Sequence, residues 1–242
     1  MKNSQFTNFI EQGYNHIPFS REVVVDTDTA LALYLKLANN PYSYFLESVQ
    51  GGEKWGRYSF IGLSAETVIK VYDYQIFIEK NGELLEQYDV EDPLAWIEDY
   101  QKKFKVPKLE SLPDFNGGLV GYFGYETIHL IEKRVGGSDP KPDSIGCPDI
   151  LLLHSDEVIV YDNLASKLYF VVFANPQETG AYDIAQKRLS TLFLALRQPV
   201  EELPEERLQL EQPLEETSQN QFYQSVERAK EYICEGDIMQ VV

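Results

Sequence analysis

At 242 residues, with 43% apolar and 13% aromatic side chains, the chain is long and apolar enough to bury a sizeable core, which excludes general disorder. Its formal net charge of −18 leaves no surplus of Lys and Arg to neutralise phosphates, so nucleic acid and an anionic membrane face are excluded as expected partners. Its two cysteines, Cys147 and Cys234, form no disulfide framework or zinc motif, and the N-terminus has neither a signal-peptide core nor a span-length apolar run, so a cytoplasmic protein is expected.

Along the chain, Phe6, Phe9 and Ile10 have helical spacing, and Pro18 is expected to end that helix. "REVVVD" predicts a strand, and "DTDTALALYLKLANN" an amphipathic helix capped by Thr27 or Asp28. "YFLESVQGGEKWGRYSFIG", residues 44 to 62, predicts two strands joined by a glycine loop. "ETVIKVYDYQIFIEKNGELLEQYDV" alternates in apolar character around Asn81-Gly82, a strong hairpin signal because both turn positions need positive φ. "DPLAWIEDYQKKF" predicts a helix opened by Asp92 and Pro93, with Leu94, Trp96 and Ile97 facing inward.

"FNGGLVGYFGYETI" reads first as a strand kinked by glycine where sheets pack, with a backbone that closely approaches another chain segment or a ligand as the alternative, and a charged loop follows it. "CPDILLLHSDEVIVYDNLASKLYFVVFAN" predicts three strands, the last two closed by a hairpin through Asn163 to Ser166, and "PQETGAYDIAQKRLSTLFLALRQ" a helix. Residues 199 to 216 are acidic and rich in Gln and Pro, as a surface linker is. "SQNQFYQSVERAKEYICEGD" then predicts a helix with Phe222, Val226, Ala229 and Ile233 on one face and Gly236 as C-cap, and "IMQVV" an apolar strand. The fold class expected is α+β, mostly antiparallel sheets with flanking helices.

No GxSxG, HExxH, P-loop or dinucleotide motif is present. The scattered cysteines and His16, His129 and His154 are read as core or surface residues and not as ligands. Strand alternation sends Glu47 to one face and Ser48 to the other, where Ser48 joins Tyr44 and Leu46 in an apolar, aromatic surface suited to a small ligand with a polar end. Glu47 can bind a ligand ammonium or pair with Arg57 across the Gln50 to Lys54 loop, and local physics favours the ion pair. Lys54 is expected in solvent. If the strand is regular, Glu47 and Ser48 cannot both line one flat pocket, so either the strand is bulged there or one of them holds the site's shape and the other meets the ligand.

Taken together, "YFLESVQGGEKWGRYSFIG", "GGLVGYFGYE", "PDILLLHSDEVIVYD" and "YQSVERAKEYICEGDIMQVV" resemble the large, aminating subunit of anthranilate synthase. The resemblance implies conversion of chorismate and ammonia to anthranilate and pyruvate in tryptophan synthesis, with Mg²⁺ as cofactor and a glutamine amidotransferase subunit as partner. It also implies feedback inhibition by L-tryptophan at an "LLES" element, whose last three positions Leu46, Glu47 and Ser48 match, with Phe45 in place of the first Leu. The family's second inhibitor motif and its chorismate and Mg²⁺ residues are absent here. The chain is therefore expected to be an amino-terminal part: a regulatory domain at 1–198, an acidic linker at 199–216, and the start of the catalytic domain at 217–242, without catalytic or metal-binding residues of its own. The large subunit of aminodeoxychorismate synthase, in the folate pathway, and a stand-alone amino-acid-binding module are the alternatives.

Overall fold

A computed structural model describes residues 1–25, 28–50, 54–132, 134, 145–200 and 217–241, with the backbone alone at 48–50 and 54–55. The chain divides into two compact units, Met1–Glu201 and Glu202–Val242.

In the first unit, apolar alternation builds two five-stranded sheets in which every pairing is antiparallel. The first takes β1 (Ile17–Val24), β2 (Tyr44–Gln50), β3 (Lys54–Gly62), β9 (Glu157–Asp162) and β10 (Lys167–Ala174) in the order β1-β10-β9-β3-β2. The second takes β4 (Thr67–Tyr72), β5 (Gln75–Lys80), β6 (Glu83–Asp89), β7 (Gly118–Phe123) and β8 (Ile150–Ser155) in the order β6-β5-β4-β8-β7. The chain crosses between sheets after β3, and again at Asp156, the one residue between β8 and β9. The structure thus bears out the α+β reading.

Each sheet buries its own core. On the first, Phe19, Ile61, Ile159, Leu168 and Phe170 pack against α1 (Asn3–Glu11), α2 (Ala30–Leu37) and α5 (Ala181–Ala195) through Phe6, Leu33, Ala185, Leu189 and Leu192. On the second, Ile69, Val71, Ile76, Ile78, Ile150 and Leu152 meet Ile97 of α3 (Pro93–Lys102). Burying each such side chain contributes ~1.5–3 kcal/mol, which outweighs helix propensity in holding these short helices.

Local turn chemistry behaves as its residues dictate. Asn81 and Gly82 have φ of 53° and 81° between β5 and β6, and the Asp92 carboxylate accepts from the Ala95 N–H to open α3. Three expectations are corrected. Pro18 does not end α1, which stops at Glu11 ahead of Gly13 with φ 83°; Pro18 lies inside β1, where an edge strand spares its missing N–H. The cap of α2 is Thr29, whose Oγ1 accepts from Ala32 at 3.1 Å, while Asp28 instead pairs with Lys36 and Thr27 lies outside the described residues. Residues 238–241 of "IMQVV" form no strand.

The glycine stretch forms β7, an edge strand, followed by a short helical turn into α4 (Ile128–Ile131). A Cβ on Gly121 would stand 1.8 Å from the Leu151 carbonyl oxygen, a backbone atom of β8 that has no rotamer to escape into. Gly121→Ala is expected to push β7 off β8 and to lower stability by ~1–3 kcal/mol in urea unfolding; an unchanged midpoint would contradict this close approach.

In the second unit, Ser218 and Gln221 form a reciprocal capping box that opens α6 (Gln219–Glu235), and Gly236 closes it at φ 83°. Its apolar residues Phe222, Val226 and Ile233 are exposed. Residues 201–216 of the expected linker at 199–216, and most of the charged loop at 132–144, lie outside the described residues.

Candidate functional site at the bulged edge of the first sheet

β2 is an edge strand, and its pairing with β3 is irregular where the LES element lies. Glu47 faces Ser59, but Val49 faces Trp55, so Gly56, Arg57 and Tyr58 together stand opposite Ser48. The extra residues lie on β3, so strict alternation is broken there, at Gly56 to Tyr58. The Ser48 and Lys54 side chains lie outside the described residues.

The turn between β9 and β10 pins the bulge. Asn163 donates its backbone N–H to the Arg57 carbonyl at 2.8 Å, and its Nδ2 to the Gly56 carbonyl and to Ser59 Oγ, both at 3.1 Å. Its neighbour Asp162 is 1% exposed and accepts from Arg57 Nε at 3.1 Å and Nη2 at 2.9 Å, and from the N–H groups of Leu164 and Ala165 at 3.1 Å each. Burial acts to raise the Asp162 pKa, but the bonds from Arg57, Ala165 and Leu164 outweigh it and hold the carboxyl below its ordinary range.

The expected Glu47 to Arg57 ion pair is therefore not formed. The bulge sets Arg57 beside β9, where a buried carboxylate outcompetes an exposed one. Among the described residues Glu47 is exposed and has no ion-pair or hydrogen-bond partner. It is available to a ligand cation.

The other positions of β2 divide between support and exposure. Phe45 stacks on Tyr34 with ring centroids 5.6 Å apart, over the first core. The Tyr44 ring lies over Gly62, where a Cβ would stand 1.9 Å from it, and its hydroxyl meets Ser155 Oγ of β8 at 2.9 Å. Burial lifts the Tyr44 pKa to about 12 despite that hydrogen bond. Its hydroxyl is thus committed to holding β2 against the second sheet. Leu46, 45% exposed, is the apolar side chain that β2 leaves open beside Glu47.

A second feature lies elsewhere in this unit. A cavity of about 380 Å³ is lined by residues including His16, Phe104, Asn116, Gly117, His154 and Phe173. His16 stacks on Phe173 at 4.3 Å and 9°, and lies 5.4 Å from the His154 ring. Burial favours the neutral form of His154, lowering its pKa against the opposing pull of Asp156. His16 and His154 are buried, as core residues are, whereas Cys147 and Cys234 are exposed.

With Asp156, these histidines form the only cluster of potential metal ligands among the described residues. The Mg²⁺ implied by the resemblance calls for an octahedral shell of oxygen atoms, and two imidazoles with one carboxylate do not fit it.

A family model described as "chorismate binding enzyme" matches residues 78–242, from β5 through α6. Two curated relatives named anthranilate synthase component 1 are 48% identical, from Pseudomonas aeruginosa over 100% of this chain, and 45% identical, from Neisseria gonorrhoeae over 96%. The chain spans about half the length of these relatives, 50% and 47% respectively. A crystal structure of anthranilate synthase component I from Streptococcus pneumoniae is similar at TM-score 0.56 and 25% identity, over 89% of this chain and 46% of that one. No helix among the described residues is long and apolar enough to cross a membrane. With a family model matched over more than half of its length, the chain belongs to the chorismate binding enzyme family.

Proposed function

We propose that this chain is the amino-terminal part of an anthranilate synthase large subunit, and that the bulged edge at Leu46, Glu47 and Ser48 receives its feedback inhibitor, L-tryptophan. The whole enzyme would convert chorismate and ammonia to anthranilate, pyruvate and water, with Mg²⁺ held by residues outside this chain and ammonia supplied by an amidotransferase subunit. The relatives' shared name and the half-length match support the first part.

The observation that carries the second part is the exposed Glu47, with no partner among the described residues, on a free sheet edge. Its carboxylate is open to an α-ammonium. Leu46, which is exposed, and Ser48 flank it in the chain on the same edge strand and supply the apolar and hydroxyl contacts of the proposal. Residues 1–198 then act as the regulatory domain, 199–216 as linker, and 217–242 as the start of the catalytic domain. Tryptophan inhibits by favouring the domain arrangement in which chorismate is misaligned, a population shift for which ~1–3 kcal/mol of coupling is typical.

Product analysis tests the assignment. The full-length protein with chorismate, ammonia and Mg²⁺ is expected to release anthranilate and pyruvate, and the present chain alone to turn over no chorismate. Accumulation of aminodeoxychorismate would reassign the enzyme to folate synthesis, and turnover by this chain alone would overturn the division of labour.

A further inference from the structure

We propose that His16, His154 and Asp156 form a divalent transition-metal site, of the kind that takes Zn²⁺, bracing the two sheets of the first unit at a point distinct from the tryptophan contact. The three residues come from two segments of the chain. His16 precedes β1 of the first sheet, its amide N–H fixed to the Lys105 carbonyl; His154 belongs to β8 of the second sheet; Asp156 is the crossing residue between β8 and β9.

The geometry at Asp156 points to a shared third atom. His16 Nε2 and Asp156 Oδ1 are 3.1 Å apart, yet both are buried and neither has a hydrogen-bond partner. The His16 side chain is 10% exposed and that of Asp156 41%, so water is kept from the imidazole side while the carboxylate side stays open to solvent. Two ligands of one tetrahedral cation with bonds near 2.0–2.2 Å lie about 3.4 Å apart and aim at the ion instead of each other. His154 Nδ1 approaches Asp156 Oδ2 at 3.5 Å, and one donor atom from each residue falls within 4.8 Å of the others.

Two imidazoles and a carboxylate form a borderline donor set that prefers Zn²⁺ and its neighbours to Mg²⁺ or Ca²⁺. Three protein ligands leave a fourth position for water or a small anion, and both histidines line the adjoining cavity. Packing against Phe173 and Phe104 holds the His16 and His154 rings in place without metal, so binding would rigidify a folded unit and would not be required to create it.

The test is titration of the chelator-stripped full chain with ZnSO₄ by calorimetry, and with CoCl₂ by visible absorption, in a Cys147→Ser/Cys234→Ser background that removes the exposed thiols as alternative ligands. The expected result is one Zn²⁺ per chain, a tetrahedral Co²⁺ spectrum, a melting temperature raised by Zn²⁺, and no displacement by millimolar Mg²⁺. Asp156→Asn and His16→Gln, each confirmed folded by circular dichroism, should weaken binding at least tenfold and abolish the thermal shift. Absence of uptake, or affinity unchanged in folded Asp156→Asn, would overturn the site and leave the cluster as an ion pair. Neither result bears on the tryptophan proposal.

Discussion

Asp162→Ala is expected to lower the unfolding free energy by about 3 kcal/mol and, in the full-length protein, to weaken tryptophan inhibition. The substitution removes the charged acceptor of the Leu164 and Ala165 N–H groups and releases Arg57 from the bulge. Hydrogen bonds to a charged group contribute ~1.5–3 kcal/mol, discounted here because Leu164, Ala165 and the 56% exposed Arg57 side chain rehydrate. Asp162→Asn keeps an acceptor for the two N–H groups and should cost less. Because folding lowers the Asp162 pKa, the charged side chain's contribution is complete above its unfolded value of 3.8 and is lost as pH falls through the folded value. The stability difference between the parent and Asp162→Asn should therefore be level from about pH 7 to pH 5 and should shrink below the unfolded pKa. A difference that grows on acidification would contradict the ion-pair assignment.

Phe19→Ala is expected to have the largest effect on folding, a loss of ~3–5 kcal/mol. Phe19 is fully buried on β1 and meets Phe6 of α1 edge-on at 5.3 Å and Tyr182 of α5 at 5.4 Å. Removing it opens a cavity where three elements meet, and total stability for a domain is only ~5–15 kcal/mol. Denaturant unfolding should show a lower midpoint with a similar slope, and Phe19→Leu should recover most of the loss. A cost below ~1 kcal/mol would mean that the helices are held some other way.

These two residues also show where sequence reading stops. The Asn81-Gly82 hairpin, the Asp92 cap and the amphipathic faces of α3 and α5 were legible because their causes lie within a few residues of each other. Local spacing pairs Arg57 with Glu47 because the two flank one loop; its partner Asp162 is 105 positions away and reaches it through the pairing of β3 with β9. Likewise, the bulge on β3 depends on Asn163, in a distant turn, and leaves no mark in the local alternation.

The Thr29 cap was missed for a different reason. Thr27, Asp28 and Thr29 are all capable caps, and choosing among them requires knowing which residue has extended backbone at the helix entrance; Thr29 does, at φ −80° and ψ 159°. His154 and Asp156 stand two residues apart at the sheet crossing, but nothing local ties them to His16, which precedes β1; the topology brings that third residue to them.

On the proposed function, tryptophan acts through the LES element on β2. Its most direct test is the tryptophan dose-response of anthranilate formation by the full-length protein, in parent and Ser48→Phe forms. The account predicts a half-inhibitory concentration raised roughly 10-fold or more in Ser48→Phe, with kcat and KM for chorismate little changed, in keeping with ~1–3 kcal/mol of coupling. Equal inhibition of the two forms would contradict it.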